Sequence, residues 1–143
     1  MKQTSFWTAC IFVFSLVAVS CNNSDDSPDP SNNNSQVLTQ GGTWKVTYYF
    51  DKDKVETSDF SGYTFNFQSS GAFESTRNGT TTTGSWQTTS DDGSQRLVIS
   101  TSSSSKPLSN LDDNWIIVTM TDSKIELKDD NTEHLEELHF EKL

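Results

Sequence analysis

Two histidines near the C-terminus are the first side chains that suggest metal or acid–base chemistry, because several glutamates surround them. His134 and His139 lie five positions apart. A zinc-binding helix needs its histidines at positions i and i+4, where they share one face. On a strand, a spacing of five places the two side chains on opposite faces. We therefore expect solvated histidines here and no metal site.

Paired carboxylates occur elsewhere, but their context favours turns. Residues 51–54 (Asp-Lys-Asp-Lys) begin like a calcium loop, yet its glycine at position six and its late bidentate glutamate are missing. Residues 112–114 and 129–131 (both Asp-Asp-Asn) have the composition of hairpin turns. Such carboxylates lack the apolar pocket that raises the pKa of a general acid. The sequence also has no Ser-His-Asp order, glycine-rich phosphate loop or cysteine cluster, so we expect neither an enzyme nor a cofactor.

The net charge excludes one class of partner. The chain of 143 residues has 10 Lys and Arg against 20 Asp and Glu, and its formal net charge is −10. Nucleic-acid binding requires a surplus of basic side chains that neutralise phosphates, so we expect no nucleic-acid partner. The length fits one domain rather than two.

The first 20 residues have the pattern of a secretory signal peptide. Lys2 supplies the basic start, and an almost unbroken apolar run follows from Phe6 to Val19. That run is shorter than the roughly 20 apolar residues that a transmembrane helix needs. We expect residues 1–20 to be removed, and Cys10 with them.

The end of the apolar run resembles the lipobox of bacterial lipoproteins. Residues 17–21 (Val-Ala-Val-Ser-Cys) are small side chains that end in a cysteine. The resemblance implies that Cys21 becomes the acylated first residue and anchors the protein in a membrane. Two or three acyl chains give a stable anchor. The alternative is a soluble secreted protein with a chance cysteine at its cleavage site.

An acidic cluster follows this cysteine. Residues 22–27 (Asn-Asn-Ser-Asp-Asp-Ser) resemble the surface-export signal of Bacteroidetes-type lipoproteins, which implies a protein of the outer membrane exposed on the cell surface. The alternative is a solvated acidic linker. Residues 22–36 contain no apolar side chain apart from prolines. We therefore expect residues 21–36 to be a lipidated flexible tether and residues 37–143 to be the folded domain.

Within that domain, apolar side chains alternate with polar ones, which is typical of half-buried strands, and no segment has a helical pattern. In residues 43–50 the apolar side chains of one face are Trp44, Val46, Tyr48 and Phe50. Eight strands are predicted in this way: 43–50, 63–68, a strand around Phe73, 80–88, 95–101, 115–121, 124–128 and 135–142. This spacing predicts an all-β domain, an antiparallel barrel or sandwich. Strands that are neighbours in sequence favour an up-and-down order.

The first predicted strand opens with a motif that resembles a known signature. Gly42-Thr43-Trp44 looks like the Gly-x-Trp signature of lipocalins, here of the compact bacterial lipocalin-like lipoproteins. The resemblance implies an eight-stranded up-and-down barrel with Trp44 packed across its floor. Lipocalins stack a late basic residue, commonly Arg, on this tryptophan. In this chain Lys142 is the nearest candidate.

Two functions are compatible with these features. If the barrel is open at one end, it binds a small hydrophobic or amphipathic ligand, and the side chains that would line its pocket are Val46, Tyr48, Phe65, Phe67, Phe73 and Trp86. If these side chains fill the core instead, the protein is a surface module that binds a protein or a glycan. In either case we expect a monomer that its lipid holds at the membrane.

Overall fold

The computed structural model describes residues 30–143, with side chains from residue 33 onward. The predicted signal peptide, the lipidation site Cys21 and the first part of the predicted tether lie outside the described residues. The described regular structure is a helix and nine strands: α1 Pro30–Thr39, β1 Trp44–Asp51, β2 Lys54–Val55, β3 Thr64–Phe67, β4 Ala72–Arg77, β5 Thr80–Asp91, β6 Ser94–Ser100, β7 Asp113–Met120, β8 Lys124–Lys128 and β9 Glu136–Lys142. Two short 3₁₀ turns span Thr57–Phe60 and Leu108–Leu111. No helix in this part of the chain is both long enough and apolar enough to cross a membrane.

Eight of the strands form a closed antiparallel barrel. Each strand from β3 to β9 pairs with the next one in sequence, and β9 pairs with β1. β1 pairs with β3 at Trp44 and Phe65, which completes the circle. β2 is a two-residue addition that pairs with the end of β1. The predicted up-and-down barrel is therefore confirmed, and every predicted strand overlaps an observed one.

A bulge in β1 turns the side chains of the second half of the strand to the opposite face of the sheet. The pairing with β9 shifts between Val46 and Tyr48. A register shift of one residue moves the following side chains to the opposite face. As a result, Trp44 and Tyr49 are buried, whereas Tyr48 and Phe50 lie on the outer wall, half-buried. The predicted common face of Trp44, Val46, Tyr48 and Phe50 is thus wrong for its last two residues.

A second bulge acts in the same way in β7. The pairing with β8 shifts between Ile117 and Thr119. Ile117 and Met120 therefore both pack against the core, and Val118 is 56% exposed. Strict alternation would instead place Met120 with Val118, on the face opposite Ile117.

α1 begins inside the segment for which the sequence predicts a tether, so that expectation does not hold for residues 30–36. Isolated helices of this length are marginal in water. Leu38 extends from α1 into the hydrophobic core and is 1% exposed. Thr39 Oγ1 donates a hydrogen bond to Ser35 O over 2.9 Å within the helix. Burial of Leu38 against the barrel stabilises a helix that local sequence does not specify.

The connections divide the barrel into two ends. α1 leads into β1 at one end, which we call the entry end. The 3₁₀ turns lie in the connections before β3 and before β7, at the opposite or distal end. The core between the two ends consists of Leu38, Trp44, Tyr49, Phe60, Phe65, Phe67, Phe73, Trp86, Leu97, Ile99, Leu108, Leu111, Trp115, Ile125, Leu127, Leu138 and Phe140.

Candidate functional site

Three of the predicted pocket residues are packed against one another inside the barrel. Phe65, Phe67 and Phe73 are 0%, 2% and 0% exposed. The ring centroids of Phe65 and Phe73 lie 5.7 Å apart, and those of Phe67 and Phe73 lie 4.9 Å apart. Phe140 of β9 meets Phe65 and Phe67 edge-on, at centroid distances of 5.5 and 5.8 Å. These rings occupy the space in which a ligand was expected to lie.

Both ends of the barrel are covered by apolar side chains. Leu38 covers the entry end. At the distal end, Phe60, Leu108 and Leu111 of the 3₁₀ turns are 3%, 6% and 0% exposed. Phe60 packs edge-on against Tyr49, with ring centroids 5.3 Å apart. The interior is therefore filled along its length and closed at its ends.

The other three predicted pocket residues lie in different places. Val46 is partly buried and packs against the core. The ring of Tyr48 lies outside the barrel, 5.0 Å from the ring of His139, because the β1 bulge turns it outward. Trp86 lines a cleft beside α1. The six predicted residues thus do not form one cavity, and the assignment of Tyr48 to the interior is wrong.

The Gly-x-Trp signature forms a structural contact at the entry end. Lys142 Nζ lies 5.2 Å from the ring centroid of Trp44, which confirms Lys142 as the basic partner of this tryptophan. It also donates a hydrogen bond to Gln40 O over 3.4 Å. Gly42 has φ +118°, and a Cβ atom on it would lie 2.7 Å from Lys142 Cε. The positive φ favours glycine here, whereas the flexible side chain of Lys142 could move away from a Cβ atom.

A cleft separates α1 from the barrel wall. It encloses about 630 Å³. Its lining comes from α1, from the turn between β3 and β4, and from β5: Ser35, Gln36, Thr39, Ser69, Gly71, Trp86, Gln87 and Thr88. Ser35 Oγ and Thr88 Oγ1 are hydrogen-bonded at 2.7 Å and tie the helix to β5. We call this feature the α1 cleft.

A smaller depression of about 300 Å³ lies on the outer wall over β7, β8 and β9. Its lining combines apolar and charged side chains: Val118, Glu126, Leu127, Lys128, Glu137 and His139. His139 Nε2 lies 3.9 Å from a carboxylate oxygen of Glu137. His134 is exposed before β9, so the two histidines do not share a site.

The distal end concentrates carboxylates. Burial raises the pKa of the Glu136 carboxyl above its usual range, and the nearby charges of Asp51 and Asp113 raise it further. Burial also raises the pKa of Asp113. The pKa of Tyr49 lies far above its usual range, chiefly because the side chain is buried and then because of the nearby negative charges of Glu136, Asp51 and Glu56. The expectation that the turn carboxylates lack burial is therefore wrong for Asp113 of residues 112–114.

Arg96 lies at one side of this carboxylate-rich region. Its side chain is 8% exposed, and its Nη1 lies 3.0 Å from a carboxylate oxygen of Asp130. Nη1 also donates to Asn114 O over 3.2 Å, and Nε lies 3.7 Å from Asp91. The aspartates stay 57% and 61% exposed, so Arg96 is buried by packing while its partners remain hydrated.

The described side chains do not build a metal centre. Within residues 33–143, His, Asp and Glu nowhere form a group of three or more that could hold a metal ion. The arrangement provides a filled barrel, an uncharged cleft and a charged outer wall.

Comparison with known proteins places the fold. No protein-family model matches the chain, and no curated protein matches it. The barrel resembles a solved structure. That structure is the crystal structure, at 1.00 Å resolution, of a DUF4847 family protein from Bacteroides vulgatus ATCC 8482. The TM-score is 0.52 at 15% sequence identity, over 74% of this chain and 95% of the other. At this identity, the likeness shows a shared fold.

The α1 cleft escapes prediction from the sequence because two of its eight lining residues, Ser35 and Gln36, belong to the segment predicted as a tether. The available signal was the apolar pair Val37-Leu38, the first such pair after residues 22–36. A short helix that buries one leucine has too little pattern to be recognised before the barrel is known.

Proposed function

We propose that this protein is a lipid-anchored surface module that recognises its partner with the exterior of a filled barrel. The observation that carries this proposal is the packing of Phe65, Phe67, Phe73 and Phe140, which leaves the barrel interior to protein side chains. A ligand in that space would have to separate rings that are in van der Waals contact. Recognition at the surface requires no such rearrangement.

The anchor in this proposal rests on the lipobox-like residues 17–21 and on the acidic cluster after Cys21. The segment that leads from Cys21 joins the barrel through α1 at the entry end. We infer an outer-membrane lipoprotein that displays the rest of the barrel surface on the cell exterior. We assign it no catalytic step. Its half-buried carboxylates lie beside other carboxylates, and we assign no nucleophile or cofactor to act with them.

The anchor is tested by radiolabelled palmitate incorporation in cells that express Cys21→Ala. We expect this variant to lose the label and to leave the membrane fraction. Cys10→Ala is the matched control and should keep both. A Cys21→Ala protein that remains labelled would refute the anchor. Protease added to intact cells tests the display: full protection, with digestion only after lysis, would refute it.

A small hydrophobic ligand inside the barrel is the competing hypothesis. One observation supports this hypothesis: the Nε1 atom of buried Trp44 has no hydrogen-bond partner. Titration with a fluorescent fatty acid separates the two hypotheses. We expect no saturable binding, because the interior is filled. Saturable binding that Phe73→Trp abolishes by filling the interior would favour the ligand instead.

A further inference from the structure

The lining of the α1 cleft restricts the chemistry of what it can bind. Its volume of about 630 Å³ lies in the range of small-molecule sites. All eight lining residues are uncharged, although the chain has a net charge of −10. An anionic ligand would meet neither Lys nor Arg in this lining, and a cationic one neither Asp nor Glu. Since a charged ligand would find no oppositely charged partner in this lining, the lining favours a neutral ligand.

The polar groups of the cleft also disfavour a purely apolar ligand. Hydroxyl groups come from both walls, on Thr39 of α1 and on Ser69 of the turn between β3 and β4. Gln36 of α1 and Gln87 of β5, two exposed residues with side-chain amides, also line the cleft. Each amide provides donors and acceptors. An apolar ligand would remove water from these groups without replacing their hydrogen bonds.

Trp86 provides a fixed apolar surface between the polar walls. Its backbone N donates to Gly71 O over 2.8 Å, and its Nε1 donates to Gln68 O over 2.9 Å. Phe67 packs edge-on against the ring, with centroids 5.6 Å apart. Both N–H donors of Trp86 are used within the protein, and the residue, which is 8% exposed, lines the cleft. The indole is held in place before any ligand arrives.

A sugar ring combines the two requirements, because it is neutral, has hydroxyls around its edge and has apolar C–H groups on its faces. We propose that the α1 cleft binds a neutral saccharide, with Gln36 and Gln87 at its hydroxyls and the exposed part of Trp86 at its C–H groups. This inference rests on the proposed function, since it names the exterior site and the ligand class.

The test is isothermal titration of the detergent-solubilised protein with four neutral tetrasaccharides, built from glucose, mannose, xylose and N-acetylglucosamine, and with tetragalacturonate as the acidic comparison. We expect at least one neutral sugar to bind and tetragalacturonate not to bind. Gln36→Leu and Gln87→Leu should each lower the affinity at least tenfold. Gln95→Leu on β6 is the matched control, because Gln95 does not line the cleft.

Absence of binding by all four neutral sugars overturns the inference. So does binding that both cleft variants retain, or binding of the acidic sugar with equal affinity. Circular dichroism of each variant establishes that it folds, and Gln87→Asn provides a second, milder change at the same site. None of these results would contradict the filled interior of the barrel, which the fatty-acid titration tests separately.

Discussion

Replacement of Gly84 by alanine tests how closely the chain crosses the inside of the barrel. Gly84 of β5 pairs with Phe73 of β4. A Cβ atom on Gly84 would lie 1.8 Å from Ser100 O and 2.7 Å from Thr101 Cα. Both neighbours are backbone atoms, so no change of rotamer relieves the overlap. The backbone of residues 100–101 therefore has to move to make room for the Cβ atom.

The expected loss of stability follows from what that movement breaks. Ser100 pairs with Ser85, and the N–H of Thr101, which is 1% exposed, donates to Asp112 Oδ1. Overpacking of a core costs about 1–3 kcal/mol, and a buried group that loses its hydrogen bond costs about 1–3 kcal/mol more. We expect Gly84→Ala to lose about 2–6 kcal/mol, a large part of the roughly 5–15 kcal/mol typical of a domain.

Urea denaturation, followed by circular dichroism and tryptophan fluorescence, measures this loss. Gly79→Ala is one control: it has φ +77° and no neighbour within 4 Å, so it reports the cost of backbone conformation alone, about 1–2 kcal/mol. Ser85→Ala is the second control, an exposed change that should cost less than about 0.5 kcal/mol. A Gly84→Ala protein within 1 kcal/mol (roughly the Gly79→Ala cost) of the native one would refute the close approach.

Four further predictions address other contacts. Lys142→Met should cost about 0.5–2 kcal/mol, since it removes the cation from the face of Trp44, and thermal unfolding should show a smaller loss for Lys142→Arg. Glu136→Gln should raise the melting temperature at pH 7 and leave it unchanged near pH 4. The pKa of Glu136 is raised in the folded state, so its stabilising effect is present in acid and is lost as the pH rises through that pKa; equal melting temperatures at pH 7 would contradict this. Arg96→Met should change the free energy of unfolding by less than about 1 kcal/mol, because its aspartate partners stay hydrated; a loss above about 3 kcal/mol would show that the ion pairs stabilise the fold. Leu38→Ala should increase hydrogen exchange in α1 by more than it lowers barrel stability, and uniform loss of protection would show that the helix is integral to the barrel.

The number and order of the strands could be predicted because strand formation leaves a local pattern. Alternation in residues 63–68 and 135–142 is visible without any knowledge of their neighbours. The face of the sheet on which the Tyr48 side chain lies could not be predicted in this way. A bulge is a mismatch between two paired strands, so its position depends on β9 as much as on β1. The same reason explains why Met120 in β7 departs from strict alternation.

Lys142 lies against Trp44 at the end of the last strand, where the resemblance of Gly42-Thr43-Trp44 implied a late basic residue. Prediction of the interior pocket depended on how much space the aromatic rings leave, which composition alone does not determine. The α1 cleft depended on a helix whose stability comes from one leucine.

By itself, the sequence determined the all-β class, the eight barrel strands and their up-and-down order, since these follow from residue periodicity and from turns that act within a few residues. The tertiary structure decided which side chains face inward after the two bulges, that the interior is filled, and that α1 forms against the barrel. It also decided that Gly84 leaves room for the backbone of Ser100. The physical reason is that packing and register depend on contacts between residues far apart in sequence, and these contacts exist only once the barrel has closed.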